Sequence, residues 1–423
     1  MSTQKNGVWG GAIEVPGLGA LNKGGGAHLG SVSCGSAGNC AAGGSYQDQS
    51  RNYQGFVVVE RNGRWGRAIA VPGLRALNKG GGAFVSSVSC GSAGNWAAGG
   101  AYEDQSRQEQ GFVVVERNGR WGRAIEVPVL GPVISVSCPS AGNCAGVGYG
   151  SVVSLRHGRL GKAIELHGLL ALNKSGDAQI DSLSCASAGN CAVGGDYTDG
   201  GHGQGFVAAE RNGRWSKAIE GPGLGALNKG GNAHLSSVSC ASAGNCAAAG
   251  TYGQPYGLGF VAVEKNGVWG KATSVPGLAA LTGRLAEATS VSCASPGNCA
   301  AVGDYSNTSG GRTQGFVAVE RHGRWGKAIE VLGLGGPEQR RGRLLQLGVL
   351  RPGRYLLSRR VLHRPPPSLP GFRREPDPVR LSQVESFKGG RVPTLLALLR
   401  RAGRAAERGT RSRGRRSPPG RCL

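Results

Sequence analysis

The sequence predicts an all-β protein: a β-propeller of four-stranded blades, six of them complete, with a disordered C-terminal tail. Three observations support this prediction. A repeat unit of about 50 residues recurs in tandem, each copy divides into four short strand-like segments, and the repeat stops abruptly at Pro337. The predicted domains are an orphan outer strand and interblade loop at 1–30, propeller repeats at 31–336, and an Arg/Pro-rich tail at 337–423.

Each repeat contains four segments that predict strands. "SVSC" is the first, "CAAGGSY" the second, and "QGFVVVE", which alternates in period two, the third; "RWGKAIEV" follows a tight Asn-Gly turn as the fourth. The unit length favours a propeller blade over a β-solenoid, whose coils are nearer 20–30 residues, and over an immunoglobulin-like unit of roughly twice the length. One cysteine marks the same point in six units, 47 to 56 residues apart: Cys34, Cys90, Cys138, Cys185, Cys240 and Cys293.

A large apolar residue follows the Asn-Gly or His-Gly turn of every unit. We expect these rings to wedge between neighbouring blades as part of the core. They are Trp9, Trp65, Trp121, Trp215, Trp269 and Trp325, with Leu160 in the remaining unit.

The blocks SVSC, GNCAAGG and NG-W-AIEVPG, in fixed order over residues 6–336, resemble largely uncharacterised tandem-repeat β-propeller-like proteins of high-GC bacteria. The resemblance implies a propeller fold and export from the cell, and it implies no reaction. "RNGRWG" also resembles the Asp-box hairpin of sialidase-type propellers, although it lacks the Ser-x-Asp start.

The net charge of +24 belongs mainly to the tail. Residues 337–423 hold 22 Lys and Arg against 5 Asp and Glu, whereas residues 1–336 hold 27 against 20. A strongly basic chain usually indicates a nucleic-acid partner. Because the charge lies outside the repeats, we expect no nucleic-acid partner for the propeller.

The tail resembles the repeat sequence translated in another reading frame. Plausible codons read one base later turn "PEQRRGRLL" into "LNNGGDA" and "LGVLRPGRYLL" into "SASCAPAGTC". We therefore interpret it as an out-of-frame seventh blade; the alternative is a genuine basic arm that binds nucleic acid or anionic surfaces. In frame, pairing of the two termini would close the ring. Repeats upstream of Met1 remain an open alternative, and no signal peptide precedes the repeats.

Five repeats keep two cysteines six residues apart on either side of a hairpin turn, and we predict that each pair forms a disulfide. Buried thiols are the alternative. Zinc sites space their cysteines roughly two to four residues apart, so no metal site is expected. Disulfides suit an oxidising compartment, which predicts a protein of the cell surface or the medium. The predicted bridges are Cys34–Cys40, Cys138–Cys144, Cys185–Cys191, Cys240–Cys246 and Cys293–Cys299.

No catalytic constellation is evident in the sequence, and neither an enzyme activity nor a cofactor is expected. Only His28 and His234 share a repeat position, on the predicted interblade loop, and "DYTDGGHG" around Asp196 is typical of an Asp/Gly turn. We hypothesise a non-catalytic binding or structural propeller, monomeric and without a transmembrane segment. The alternatives are a carbohydrate-active propeller enzyme, which needs acidic or histidine residues converging at the channel mouth, and a non-functional frameshifted product.

Because the four strands of a blade alternate in direction, the second-to-third loop and the interblade loop emerge on the same face. These are the long and variable loops. An Asn-Lys pair recurs on the interblade loops and is the candidate ligand-binding set, suited to a glycan or an anionic wall polymer. The simpler alternative is an asparagine that caps a turn beside a solvated lysine. The residues are Asn22, Lys23, Asn78, Lys79, Asn173, Lys174, Asn228 and Lys229.

Overall fold

The computed structural model describes residues 11–331, apart from 129–130, 175–177, 230, 254–256, 283–284 and 307–312. Outside this range it gives strand positions at 4–5, 8–9, 343–351 and 354–361. Within 27–331 the chain forms six antiparallel sheets, one for each repeat. First strands of consecutive sheets lie side by side, so the sheets are the successive blades of a β-propeller with the first strands innermost. The predicted fold class is confirmed.

The chain starts with a hairpin and then enters blade one. The hairpin comprises β1 (Gln4–Lys5) and β2 (Val8–Trp9). Blade one comprises β3 (Ala27–Ser36), β4 (Asn39–Gln47), β5 (Tyr53–Arg61), β6 (Arg64–Trp65) and β7 (Ile69–Ala70). Blade two comprises β8 (Ala83–Ser92), β9 (Asn95–Glu103), β10 (Glu109–Arg117), β11 (Arg120–Trp121) and β12 (Ile125–Val127). Blade three comprises β13 (Ser135–Ser140), β14 (Asn143–Val147), β15 (Ser151–Arg156), β16 (Arg159–Leu160) and β17 (Ile164–Glu165).

The other three blades repeat this plan. Blade four comprises β18 (Gln179–Ser187), β19 (Asn190–Asp199), β20 (His202–Arg211), β21 (Arg214–Trp215) and β22 (Ile219–Glu220). Blade five comprises β23 (Asn232–Ser242), β24 (Asn245–Gly253), β25 (Leu258–Lys265), β26 (Val268–Trp269) and β27 (Thr273–Ser274). Blade six comprises β28 (Ala286–Ser295), β29 (Asn298–Ser306), β30 (Thr313–Arg321), β31 (Arg324–Trp325) and β32 (Ile329–Val331).

The fourth strand of each blade is broken in two, whereas the sequence predicted one continuous strand. In blade one Trp65 pairs with Glu60 and Ala70 pairs with Phe56, so one extra residue lies between the two halves as a bulge. The N–H of Ala68, a residue of this bulge, donates to the carbonyl of Pro16 at 2.7 Å. This bond ties the blade to the preceding interblade loop.

Each described interblade loop of the repeat type contains one helical turn, which the sequence did not predict. The glycine before each turn has a positive φ, such as 80° at Gly73, a conformation that favours glycine. No helix in the described part of the chain is long and apolar enough to span a bilayer. The helices are α1 (Leu18–Leu21), α2 (Leu74–Leu77), α3 (Leu169–Leu172), α4 (Leu224–Leu227) and α5 (Leu278–Leu281).

The first strand is longer than "SVSC" in most blades and carries a bulge of its own. In blade one it begins at Ala27, and Gly30 is the extra residue between two registers. The bulge brings the His28 carbonyl oxygen so close to the second strand that a Cβ on Gly44 would lie 1.9 Å from it. Glycine is therefore required there. His28 and His234, predicted on the interblade loops, lie instead on first strands, because the bulge allows pairing to continue beyond the repeat motif.

The hydrophobic core lies between neighbouring sheets and not within one blade. The cluster between blades one and two, for example, joins Val57 and Leu74 to Val88 and Phe112, all of them buried. The predicted tryptophan wedge is confirmed, because the tryptophans pack against these clusters at the blade junctions. Those described between two blades are Trp121, Trp215, Trp269 and Trp325, whereas Trp65 packs against blade one and the loop that precedes it.

Serine hydroxyls connect the first strands of neighbouring blades. The Ser31 hydroxyl accepts from the Val88 N–H at 3.1 Å, and the Ser89 hydroxyl accepts from the Cys138 N–H at 2.9 Å. The same bond recurs at later junctions, from Ser137, Ser182, Ser184, Ser237 and Ser239. These serines therefore satisfy N–H groups at the edge of the next blade.

A seventh position in the ring lies between blades six and one, and a strand that follows blade six occupies it. In the N-terminal hairpin Gln4 pairs with Trp9, as Glu60 pairs with Trp65 in blade one. Within the stretch predicted to be disordered, β33 (Arg343–Arg351) pairs with β34 (Arg354–Val361), and β33 contacts the first strands of blades six and one. Residues 362–423 lie outside the described part of the chain.

Candidate functional site

The second-to-third loops and the interblade loops lie on one face, as predicted. In blade one the Gly24 N–H donates to the Gln47 carbonyl at 3.0 Å, and the Tyr53 N–H donates to the Gly81 carbonyl of the next loop at 2.8 Å. We call this the long-loop face. Candidate sites are expected here because loops on a rigid scaffold are free to vary in length and chemistry.

Three positions form a niche at this face where two blades meet and the first strand of the earlier blade carries the bulge near its start. They are the bulge residue of one first strand, the residue of the second strand beside that bulge, and the residue six before the repeat cysteine of the next blade. Between blades one and two the niche is formed by Gly30, Ser45 and Phe84. Between blades four and five it is formed by Asp181, Asp196 and His234.

The niche between blades four and five gathers two carboxyl groups and an imidazole. Their ligand atoms all lie within 4.8 Å of one another. His234 Nδ1 and Asp196 Oδ1 are 2.8 Å apart, and Gln179 Nε2 donates to Asp181 Oδ1 at 2.6 Å. The other Asp181 oxygen, Oδ2, is buried, and no donor from the described residues reaches it. The side chains of His234 and Asp196 are 50% and 32% exposed, so solvent reaches the cluster.

The environment separates the acidities of the two carboxyl groups. Burial raises the pKa of Asp181 to about 7, and the adjacent Asp196 adds to the rise against the opposing charge of His234. Burial also disfavours the Asp196 carboxylate, but its hydrogen bond to His234 and the charge of that ring outweigh burial and lower the pKa of Asp196. The same hydrogen bond raises the pKa of His234. A protonatable carboxyl thus lies beside an ionised one.

A further pair of acids continues the cluster into blade six. Glu287 and Asp304 lie opposite each other on the first and second strands. Burial raises the pKa of Asp304 to about 7, with a contribution from the Glu287 charge, and Glu287 also raises the pKa of His234. Acidic side chains therefore continue from blade four to blade six at this face.

The niche between blades one and two opens into a pocket of about 380 Å³. Phe84 and Tyr53 contribute rings that are 39% and 45% exposed. Glu103 and Glu109 add carboxylates, and His28 also lines the pocket. The described lining contains no lysine or arginine.

The loops beside this pocket are held by local hydrogen bonds. Asp48 Oδ1 accepts from the Ser50 N–H at 2.9 Å and from the Asn52 N–H at 3.1 Å. Asp104 Oδ1 accepts in the same way from the Ser106 N–H at 2.7 Å and the Gln108 N–H at 3.0 Å. These bonds form the pocket walls before any ligand arrives.

The predicted disulfides are confirmed among the described residues. All five pairs are bonded: Cys34–Cys40, Cys138–Cys144, Cys185–Cys191, Cys240–Cys246 and Cys293–Cys299. In blade two the position opposite Cys90 is filled by the buried Trp96. The bridges lie at the end of the blades remote from the long-loop face, so they stabilise the scaffold and take no part in the niches.

The predicted Asn-Lys set is divided by the structure. The asparagines make hydrogen bonds within the fold, because each one ends an interblade helix and reaches the neighbouring hairpin. Asn22, Asn173 and Asn228 accept from the N–H groups of Gln47, Thr198 and Gly253 at 3.2, 3.2 and 3.0 Å, and Asn78 donates to the Tyr53 carbonyl at 2.9 Å.

The lysines of the set are exposed. They are Lys23, Lys79, Lys174 and Lys229. Lys174 lies 2.8 Å from Asp199. Ligand binding by these lysines stays a prediction, and the asparagines act as turn caps, as the simpler alternative proposed.

No protein-family model matches the chain, and no curated protein is significantly similar to it in sequence. Solved propellers are similar in structure. The WD40 β-propeller domain of Doa1 is 10% identical with a TM-score of 0.44, and covers 78% of this chain and 89% of its own. The GH74 xyloglucanase from Xanthomonas campestris is 14% identical with a TM-score of 0.45, and covers 73% of this chain and 46% of its own. Sqt1 of Chaetomium thermophilum, bound to the N-terminus of ribosomal protein L10, is 13% identical with a TM-score of 0.36. The match covers 77% of this chain and 94% of the Sqt1 chain. These similarities indicate no ligand and no reaction.

Proposed function

We propose that the protein is an exported, non-catalytic propeller that binds a glycan in the pocket between blades one and two. The observation that supports this proposal is the combination of two exposed rings, Tyr53 and Phe84, with two carboxylates, Glu103 and Glu109, in one pocket. A pyranose presents an apolar C–H face and a rim of hydroxyl groups. The rings match the face, and the carboxylates accept hydrogen bonds from the rim.

The charge of the pocket selects among glycans. Its described lining carries acids and His28 but neither lysine nor arginine, which disfavours an anionic wall polymer at this site. A neutral sugar or an amino sugar fits, because an ammonium group would pair with Glu103 or Glu109. The exposed lysines lie on the interblade loops, where an acidic polymer would have to bind.

The disulfides support an extracellular location. Five bridges suit an oxidising compartment and would be reduced in the cytosol of most mesophiles. A carbohydrate of the cell surface or of the surrounding medium is therefore the class of ligand that this protein would meet.

The test is a glycan screen of the purified full-length protein, followed by calorimetric titration of the strongest ligand. Phe84→Ala and Tyr53→Ala each remove one stacking surface, so each is expected to weaken binding roughly fivefold or more. Tyr149→Ala is the matched control, because Tyr149 is a 53% exposed tyrosine on the second-to-third loop of blade three, outside the pocket. Binding that tolerates both pocket variants would contradict the assigned site, and failure to bind any glycan would contradict the function.

A carbohydrate-active enzyme is a second candidate, favoured by the separated acidities of Asp181 and Asp196. Glycoside hydrolysis requires a protonated carboxyl group and an ionised one, but it places them roughly 5–9.5 Å apart, whereas the ligand atoms of this cluster lie within 4.8 Å of one another. This candidate predicts release of reducing sugar from a bound oligosaccharide and loss of that release in Asp196→Asn. The binding proposal predicts no release from the wild-type protein.

A further inference from the structure

We propose that Asp181, Asp196 and His234 form a binding site for a divalent transition-metal ion, of which Zn²⁺ is the representative. The site lies between blades four and five and is separate from the pocket between blades one and two. It does not depend on the glycan proposal.

The geometry of the three side chains fits one ion. Zinc binds imidazole nitrogen and carboxylate oxygen at about 2.0–2.2 Å, so two ligand atoms of one ion are separated by no more than about 4.4 Å. The ligand atoms here already lie within 4.8 Å of one another. Small side-chain rotations are therefore enough to close the site.

One carboxylate oxygen in the cluster lacks a hydrogen-bond donor among the described residues, and the carboxyl group that carries it interacts with that of Asp196. Asp181 Oδ2 is buried, and no donor from the described residues reaches it. A buried carboxylate oxygen without a donor is unfavourable, and a cation removes that penalty directly. Gln179 Nε2 meanwhile donates to Oδ1 at 2.6 Å and fixes the orientation of the carboxyl group, as outer partners of metal ligands do.

The donor set indicates the class of ion. Two carboxylates and an imidazole suit zinc or manganese, whereas calcium and magnesium prefer sites made of oxygen alone. With three protein ligands, at least one coordination position stays open to solvent, and the half-exposed His234 marks the side from which a further ligand enters.

The other described junctions do not assemble this set. Between blades one and two the positions are Gly30, Ser45 and Phe84. Between blades five and six they are Ser236, Thr251 and Glu287. The repeat therefore supplies the bulge at each of these junctions, and three substitutions at one of them supply the ligands.

The test uses the full-length protein after treatment with a chelator, titrated with Zn²⁺ in competition with a chromophoric chelator. We expect one ion for each chain. Asp196→Asn and His234→Gln should each weaken binding at least about tenfold. His28→Gln is the matched control, because His28 occupies the same repeat position in blade one, and it should bind Zn²⁺ as the wild type does.

Melting curves of each variant establish that the propeller remains folded. A stoichiometry near zero, or an affinity unchanged in both Asp196→Asn and His234→Gln, would overturn the site. Tighter binding of Ca²⁺ than of Zn²⁺ would overturn the class of ion. A small organic ammonium that binds with an affinity lowered by Asp196→Asn, in the absence of any Zn²⁺ binding, would assign the cluster to a basic ligand instead.

Discussion

The junction between blades one and two and the junction between blades four and five share a backbone and differ in chemistry. Both contain the bulged first strand, the glycine that faces it and an arginine–glutamate contact across the junction. One presents aromatic rings above a pocket, and the other presents two carboxyl groups and a histidine. The scaffold is therefore set by residues that recur, and the possible functions by residues that depart from the repeat.

The backbone also limits what each junction accepts. A Cβ on Gly30 would lie 2.5 Å from the Val85 carbonyl oxygen, so the first junction has no room for the aspartate that the other carries at this position. The two niches are thus alternatives that the same architecture supports, and an exchange of side chains alone would not interconvert them.

The largest expected effect comes from the glycine that faces the bulge. A Cβ on Gly195 would lie 1.9 Å from the Gln179 carbonyl oxygen, and a Cβ on Gly44 would lie 1.9 Å from the His28 carbonyl oxygen. Gly195→Ala and Gly44→Ala should each lower the free energy of unfolding by about 3 kcal/mol, because the bulge must move. Denaturant titration measures that loss. Zinc affinity should fall in Gly195→Ala alone, and equal zinc binding by both variants would break the distinction between the junctions.

The arginines that cross the junctions test whether the scaffold is shared. The Arg61 and Arg211 side chains contact the buried carboxyl groups of Glu116 and Glu264. Breaking a fully buried pair costs about 3–5 kcal/mol, and the arginines here are half exposed, so Arg61→Ala and Arg211→Ala should each cost about 2 kcal/mol. Similar losses in the two variants, measured by urea unfolding, are expected for a common scaffold. A large loss in one variant only would show that the junctions differ in more than their niches.

The smallest expected effect lies at the junction between blades five and six, where a lysine replaces the arginine. Both oxygens of Glu320 are buried, and no hydrogen-bond donor from the described residues reaches them. Burial raises the pKa of Glu320, although the charge of Lys265 opposes the rise.

Above about pH 4.5 the folded protein therefore holds a proton at Glu320 that the unfolded chain releases, and stability falls as the pH rises through the folded pKa. Glu320→Gln should remove this dependence and raise stability at pH 7 by about 1 kcal/mol. Thermal melts of both proteins between pH 4 and 7 measure the effect. Parallel pH profiles would show that the Glu320 carboxyl is solvated or paired.

The sequence was sufficient to predict the features that recur. The propeller, the tryptophans between blades and the five disulfides follow from spacing, and the structure confirms them. The cluster of Asp181, Asp196 and His234 was missed because its members are far apart in sequence and meet only across two blades.

A local misjudgement concealed the cluster as well. The first strand was predicted to begin at "SVSC", which left His234 on a loop, and Asp196 was attributed to a turn. Asp196 and His234 are close because each first strand continues beyond its "SVSC" motif through a bulge, which the motif alone does not reveal. A signal existed, since the columns that hold Gly30 and Ser45 in one repeat hold Asp181 and Asp196 in another. The out-of-frame origin of the tail stays a prediction that the nucleotide sequence around the Gly336 codon would test.

The serine bonds between first strands give the ring a direction. Each blade offers acceptors to the next and donors to the previous one, so every contact is head-to-tail. Such a contact either closes on itself or continues from one molecule to the next as a filament. Here closure passes through β33 at the seventh position, which contacts the first strands of blades six and one. We therefore expect the strand that completes the ring to leave no first-strand edge open to a second molecule.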